Sequence, residues 1–164
     1  MKEVSRAAKV GVLLLLAIAA GGCSVGAPAA IKLTTASVDS PYACPPSANN
    51  APYNVHARIE TNNGTSSTVT IRSVAAQMTL AAVKGAWLQK VGDKYEAAAL
   101  KVTPDTVGAG SSISLQVAIP SACTAGTTGK VDSSYGDYSV EFTVVTSSGT
   151  YKVGSQNRHR ILAG

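Results

Sequence analysis

The sequence predicts an all-β protein, an antiparallel β-sandwich of seven or eight strands. Three observations support this fold class. Apolar and polar residues alternate along most of the chain, which places successive side chains on opposite faces of a sheet. Residues typical of turns separate the alternating segments. Around two of these turns, the apolar positions of the flanking strands agree with the number of residues in the loop between them.

The first such turn is Asn62-Asn63-Gly64. Apolar residues take odd positions from Tyr53 to Ile59 and again at Val69, so two paired strands need a loop of odd length between them. We expect a three-residue turn that ends in a left-handed Gly64 and sets Ala57 opposite Val69. Asn63-Gly64-Thr65 also matches a glycosylation sequon, for which the turn is the better explanation.

The second turn lies near the C-terminus. Apolar residues take even positions from Tyr138 to Val144 and odd positions at Tyr151 and Val153, which requires an even loop. Ser148-Gly149, alone or with one more residue on each side, meets this requirement. Val144 would then lie opposite Val153.

The remaining strands follow from the same alternation. Val74 to Leu80 shift to even positions, so we expect a β-bulge near Ser73. Ala98 to Val102 and Ile113 to Ile119 form two further alternating segments. The segment from Lys84 to Lys94, which contains Trp87, has no clear period, and we interpret it as a short strand.

The N-terminus has the pattern of an exported precursor. Basic residues precede an apolar segment from Val10 to Ala20. This segment is much shorter than the roughly 20 residues that cross a bilayer. It ends in Ala20-Gly21-Gly22-Cys23, and the first 23 residues resemble the bacterial lipobox signal, although Ala20 stands where that family most often has Leu. The resemblance implies cleavage after Gly22 and a lipid on Cys23. An ordinary signal-peptidase cut after Ala19 is the alternative.

We therefore divide the chain into a lipoprotein signal peptide at 1–22, a short tether at 23–30 and a single β-sandwich domain at 31–164. An extended tether of this length reaches at most about 25 Å. The domain is thus expected on the extracytoplasmic side of the cell membrane or the outer membrane, held to it by the N-terminal lipid.

The cysteine count agrees with this extracytoplasmic location. The chain has three cysteines, and acylation of Cys23 leaves Cys44 and Cys123 as an even pair in an oxidising compartment. We predict a disulfide between them. No metal site or cofactor is predicted, because the only histidines are His56 and His159 and no Cys-x-x-Cys spacing occurs.

The stretch from Tyr53 to Leu80 and the hairpin from Tyr138 to Gln156 resemble the broad class of immunoglobulin-like modules on bacterial surface lipoproteins. The resemblance implies Greek-key connections between the strands. Immunoglobulin domains bridge two central strands beside a core Trp. Here Cys44 and Cys123 lie near prolines, so we expect the disulfide at strand ends, where it pins a loop to the sandwich.

The sequence predicts that the protein is not an enzyme. His56 falls on the polar face of its strand and His159 lies near the C-terminus, and we interpret both as solvated surface residues. Neither histidine lies in a Gly-x-Ser-x-Gly elbow or beside a reactive cysteine. Met78 takes an inward position, which favours core packing over copper binding.

Two groups of residues are candidates for binding a ligand. Four aromatic residues outside the inward positions could meet at one end and bind a ligand, or could simply cover the end of the core: Tyr42, Trp87, Tyr95 and Tyr135. Arg158-His159-Arg160 is the one basic cluster, either a solvated strand end or a patch for an anionic polymer or lipid headgroup. Removal of the signal peptide, with three basic residues and one acidic, lowers the formal net charge from +5 to +3, which is too weak to favour a nucleic-acid partner.

Two hypotheses about function follow. The first is a non-enzymatic envelope lipoprotein whose membrane-anchored sandwich binds or supports another cell-envelope component, a protein or a glycan. The alternative is an extracellular module that binds a small ligand or carbohydrate through the loop aromatics.

Overall fold

The computed structural model describes residues 30–39, 41–125 and 134–163. These residues contain eleven strands: β1 (Ile31–Val38), β2 (Tyr42–Ala43), β3 (Ala51–Asn63), β4 (Val69–Lys84), β5 (Lys94–Ala97), β6 (Val102–Thr103), β7 (Thr106–Val107), β8 (Ser112–Cys123), β9 (Tyr135–Thr146), β10 (Gly149–Gly154) and β11 (His159–Leu162). In these ranges, no helix has the length and apolarity needed to span a membrane. The predicted signal peptide and Cys23 lie outside the described residues.

The strands form two sheets that enclose a shared core. The smaller sheet has the order β1-β3-β8-β6, and the larger has the order β2-β11-β9-β4-β5, with β10 beside β9 and β7 beside β4. This arrangement is that of an immunoglobulin-like Greek-key sandwich, and it confirms the predicted fold class. The number of strands exceeds seven or eight because β2, β6 and β7 are two-residue segments.

The core consists of the inward apolar positions that the alternation predicts. Val55 and Ile59 in β3 and Phe142 in β9 are all 0% exposed, and Met78 in β4 is 2% exposed. Burial of each such side chain contributes about 1.5–3 kcal/mol relative to exposure. The inward role predicted for Met78 is therefore confirmed.

Two predicted irregularities are present. The register between β4 and β9 shifts between Ile71 and Ser73, which confirms the β-bulge near Ser73. The C-terminal hairpin has an even loop as predicted, but its loop is Ser147-Ser148. Val153 consequently lies opposite Phe142, and the predicted register is wrong by two residues.

The hairpin predicted around residues 62–64 is wrong. β3 pairs with β1 and β8, whereas β4 pairs with β9, so the strands that flank this turn belong to different sheets. Ala57 lies opposite Val117 instead of Val69, and Gly64 is not left-handed. Residues 64–68 form an arch that crosses between the sheets. An arch and a hairpin both direct the apolar side chains to one core, so the hydrophobic phase does not distinguish them.

Asn63 holds this arch from the inside and is 0% exposed. Its Nδ2 donates at 2.8, 3.0 and 3.0 Å to the carbonyl oxygens of Ser67, Val107 and Gly108. Its Oδ1 accepts hydrogen bonds from the backbone nitrogen and the hydroxyl of Thr65, at 3.0 and 2.7 Å. The amide is thus fully bonded, and its burial leaves the sequon inaccessible to a glycosylating enzyme.

Other corrections concern short segments. A short strand was predicted between Lys84 and Lys94, but residues 85–93 form the loop that connects β4 to β5. Within the segment from Ala98 to Val102, only Val102 belongs to a strand. Leu100, two residues earlier, donates a backbone hydrogen bond to the Val74 carbonyl of β4.

The predicted disulfide between Cys44 and Cys123 is present, with a Cα–Cα distance of 5.9 Å. Cys44 directly follows β2 at the edge of the larger sheet, and Cys123 ends β8 in the smaller sheet. The backbone nitrogen of Ala125 donates to the carbonyl oxygen of Ala48 at 2.9 Å, which fastens the loop between β2 and β3 to the end of β8. The disulfide therefore pins the loop between β2 and β3 at strand ends, as predicted.

The sandwich has two ends. β1 begins at Ile31 beside Asn63, so the chain enters at the end that carries the arch, which we call the entry end. β4 runs from this end for 16 residues, about 50 Å at about 3.3 Å per residue. The opposite end, called the distal end, contains β2, the 85–93 turn, β11 and the start of β9.

Candidate functional site at the distal end

His159 is buried at the distal end, with 0% exposure, so the prediction of a solvated histidine is wrong. β11 pairs with β9 so that His159 lies opposite Tyr138, which also faces the core. Ile161, two residues further along β11, is buried on the same face. A four-residue strand is too short for its alternation to be recognised from the sequence.

The imidazole of His159 joins three parts of the chain. Its Nε2 lies 3.3 Å from the Tyr53 hydroxyl, and its Nδ1 lies 3.4 Å from the carbonyl oxygen of Asp39. The same Nδ1 is 3.1 Å from the carboxylate Oδ1 of Asp39, an electrostatic contact because the hydrogen bond is directed at the carbonyl. The Tyr53 ring stacks on Tyr42 with 3.8 Å between ring centroids. The second carboxylate oxygen of Asp39 lies 3.3 Å from Nδ1 of the exposed His56.

The order of hydroxyl, imidazole and carboxylate is that of a hydrolytic relay, but its electrostatics differ from those of an active one. Burial raises the pKa of Tyr53 from 10.0 to about 12, so the hydroxyl keeps its proton more firmly than a free tyrosine does. A hydroxyl activated as a nucleophile has a lowered pKa or lies beside a base that can take its proton. Because His159 is closed to solvent, this cluster fits a structural role that ties β1, β3 and β11 together.

Trp87 closes the core next to this cluster. A Cβ on Gly136 would lie 2.6 Å from ring atoms Cε2 and Cζ2 of Trp87, so the indole rests directly on the β9 backbone. The nearby Tyr138 hydroxyl donates to the side chain of Gln89. Desolvation by burial raises the pKa of Tyr138, as it does for Tyr53. Trp87 therefore covers the end of the core.

The chain on both sides of Trp87 exposes apolar side chains. The described part of the chain exposes four large hydrophobic residues, all between residues 83 and 95: Val83 (39%), Leu88 (85%), Val91 (58%) and Tyr95 (44%). We call residues 83–95 the distal hairpin. Its backbone is fixed, because Gly92 donates to the Leu80 carbonyl at 2.8 Å and Leu80 donates to the Asp93 carbonyl at 3.0 Å. The Asp93 carboxylate also accepts a hydrogen bond from the backbone nitrogen of Lys90 at 2.9 Å.

The two arginines of the basic cluster flank His159: Arg160 lies on the opposite face of β11, and Arg158 directly precedes that strand and is exposed. Arg160 donates from Nε and Nη2 to the two carboxylate oxygens of Asp137, at 2.7 and 2.9 Å. Its guanidinium carbon lies 3.9 Å from the centroid of the Tyr135 ring. The hydrogen bond from Arg160 is the largest cause that lowers the pKa of Asp137, and the charge of Arg158 adds to it.

The four aromatic residues singled out in the sequence have separate partners. Tyr42 stacks on Tyr53, Trp87 rests on Gly136, the Tyr95 hydroxyl donates to the Pro120 carbonyl at 2.8 Å, and Tyr135 lies under Arg160. These contacts fit the alternative in which rings close the core, at least for the first two. Within the described ranges, no group of three or more His, Cys, Asp or Glu side chains is placed to hold a metal ion.

Comparison with known proteins gives limited information. No protein-family model matches the chain, and no curated protein matches it. Among solved structures, it is similar to the ASH/PapD-like domain 7 of human CEP192, with 14% identity and a TM-score of 0.35 over 97% of this chain and 98% of that chain. It is also similar to AggA, the major subunit of aggregative adherence fimbriae type I from Escherichia coli, with 10% identity and a TM-score of 0.32 over 82% of this chain and 95% of that chain.

Two features of the distal end were missed in the sequence. Asp39, which contacts both histidines, lies in a segment with no motif around it. The exposed Leu88 and Val91 did leave a signal, because they are apolar residues between Gly85 and Gly92 in a segment without alternation.

Proposed function

We propose that this chain is a non-enzymatic lipoprotein of the bacterial cell envelope whose sandwich binds another envelope protein through the distal hairpin. Two features support the lipid anchor on Cys23: the residues Ala20-Gly21-Gly22 that precede it and the disulfide that takes up Cys44 and Cys123. The domain would then stand on the extracytoplasmic side of its membrane.

The clustering of exposed apolar side chains in the distal hairpin is the observation that carries this proposal. Soluble domains rarely expose contiguous apolar surface without a use for it. Leu88 is 85% exposed, so it is the side chain that would insert into a pocket of the partner. The backbone hydrogen bonds of the hairpin fix its shape before binding, which reduces the entropic cost of association.

The position of the hairpin agrees with an anchored binding module. The tether enters at Ile31, at the entry end, about 50 Å along β4 from the hairpin. An upright domain would thus hold Leu88 and Val91 away from the membrane that carries it. This is the placement that a partner in the envelope requires.

The carbohydrate-binding alternative has weaker support. A sugar platform needs open ring faces side by side, but Tyr53 covers one face of Tyr42 and Arg160 lies over the ring of Tyr135. Catalysis is also poorly supported, because His159 is closed to solvent and the hydroxyl of Tyr53 is a weakened acid.

Site-specific photocrosslinking in the native host tests the proposal. A photoreactive amino acid at position 88 should give an adduct of one defined mass, and Val91→Ser should reduce its yield. The matched control is position 66, an exposed serine on the arch at the entry end, which should not give this adduct. Equal adducts at both positions, or none at position 88, would refute binding through the distal hairpin.

A further inference from the structure

We propose that the outer face of β9 and β11 carries a phosphate-binding cleft, a site separate from the distal hairpin. The cleft is open, has a volume of about 390 Å³ and is lined by Pro41, Asp137, Arg158 and Arg160. Binding sites for small molecules occupy roughly 300–1,000 Å³, so the cleft is large enough for a phosphate and part of its carrier.

Arg160 is held in place before any ligand arrives. Asp137 fixes one edge of its guanidinium through two hydrogen bonds, and the Tyr135 ring lies against its face at 3.9 Å. In the described part of the chain, Nη1 of Arg160 has no hydrogen-bond partner. A side chain fixed in this way loses little entropy when Nη1 donates to a ligand.

The charge of the cleft favours an anion. Among the described residues, two guanidinium groups and one carboxylate line it, which gives these side chains one net positive charge. Asp137 is already compensated by Arg160, and its side chain is only 11% exposed. Arg158 is exposed and has no hydrogen bond or ion pair within residues 30–39, 41–125 and 134–163. The uncompensated charge at the cleft is therefore that of Arg158.

The remaining donors suit a phosphate group. Asp137 occupies the Nε–Nη2 edge of the Arg160 guanidinium, so the hydrogens of Nη1 remain as donors. The donors still available come from two separate groups, Nη1 of Arg160 and the guanidinium of Arg158. A tetrahedral phosphate has several oxygens that can accept from both groups at once, and it is carried either by a free phosphate compound or by a lipid headgroup.

The first experiment measures binding of inorganic phosphate to the mature chain carrying Cys23→Ser, by heteronuclear NMR titration at constant ionic strength. We expect saturable shifts at residues of β9 and β11. Arg158→Gln should weaken binding about tenfold, as expected for the loss of one charge-assisted hydrogen bond. The matched control is Lys152→Gln on β10, which removes the same charge from an exposed side chain and should leave the affinity unchanged.

Three outcomes would overturn the proposal: no saturable shifts, unchanged binding by the Arg158→Gln protein, or equal weakening by both variants. Circular dichroism would verify that both variants are folded. Flotation with phosphatidylglycerol vesicles then separates the sources, since binding that Arg158→Gln abolishes indicates a lipid headgroup. Phosphate binding without vesicle binding indicates a phosphate compound outside the bilayer. Crosslinking at position 88 should be unaffected by Arg158→Gln, so this site and the distal hairpin can fail independently.

Discussion

Replacement of Asn63 tests the account of how the two sheets are connected. The side chain is 0% exposed and makes five hydrogen bonds to the arch and to the β7–β8 loop. Each contributes about 0.5–1.5 kcal/mol net. Some groups freed by Asn63→Ala can turn to water, among them the Ser67 carbonyl and the Thr65 hydroxyl. We therefore expect Asn63→Ala to lower the free energy of unfolding by about 3 kcal/mol.

Asn63→Asp is the sharper variant, because it keeps the shape of the side chain. It replaces the Nδ2 donor with a carboxylate oxygen that faces three carbonyl oxygens. A buried charge without a partner costs about 3–5 kcal/mol, so this variant should be at least as unstable as Asn63→Ala at neutral pH. Its matched control is Asn62→Asp, since Asn62 makes one side-chain hydrogen bond, to Ser112 at 2.9 Å, and lies at the surface.

Urea unfolding of the three variants and the wild type, followed by circular dichroism, gives the free energies. The expected order of stability is wild type, Asn62→Asp, Asn63→Ala and Asn63→Asp. The wild type and Asn62→Asp should differ by less than about 1 kcal/mol. If Asn63→Asp were as stable as Asn62→Asp, the buried amide would not hold the arch, and the connection between the sheets would need another explanation.

Three further predictions concern the distal end. Replacing both Cys44 and Cys123 with Ser should lower the free energy of unfolding by roughly 4–5 kcal/mol, the chain-entropy value for a separation of 79 residues, and equal midpoints in urea would contradict it. The folded chain keeps the Tyr53 proton up to about 12 whereas the unfolded chain releases it near 10.0, so stability should be complete below pH 10.0 and fall as the pH rises toward about 12. Thermal melts should show a weaker pH dependence for Tyr53→Phe, and an unchanged slope would count against the buried hydroxyl. Gly136→Ala should displace the single Trp and shift its fluorescence to the red, with a cost of about 1–3 kcal/mol, whereas Gly154→Ala should do neither because no atom lies within 4 Å of its added Cβ.

Much of the sheet structure could be predicted because alternation reports which face of a strand is buried. It placed Met78 and Phe142 in the core and located the bulge near Ser73 from a change of phase. The odd phase of β3 also continues to Asn63, so the burial of that residue was readable in the pattern. Alternation does not report which strands pair, so it cannot distinguish the arch after Asn63 from a hairpin.

The distal end was less predictable because its contacts join residues far apart in the sequence. His159 is separated from Asp39 by 120 residues, and its strand is too short to reveal an inward position. The disulfide could be predicted from the count of cysteines, which needs no knowledge of distance. The contact of Tyr135 with Arg160 depends on the pairing of β9 with β11, and the contact of Tyr42 with Tyr53 joins the two sheets, so no local pattern could indicate either.

The lipid on Cys23 is the claim on which the proposed location and orientation of the domain depend, and metabolic labelling tests it most directly. Cells that express the wild-type precursor are grown with a clickable fatty acid, beside cells that express Cys23→Ala and the paired control Ser24→Ala. We predict labelled, membrane-retained protein for the wild type and Ser24→Ala, and unlabelled, uncleaved precursor for Cys23→Ala. Undiminished labelling of Cys23→Ala, or an unlabelled wild type cleaved after Ala19, would contradict the anchor.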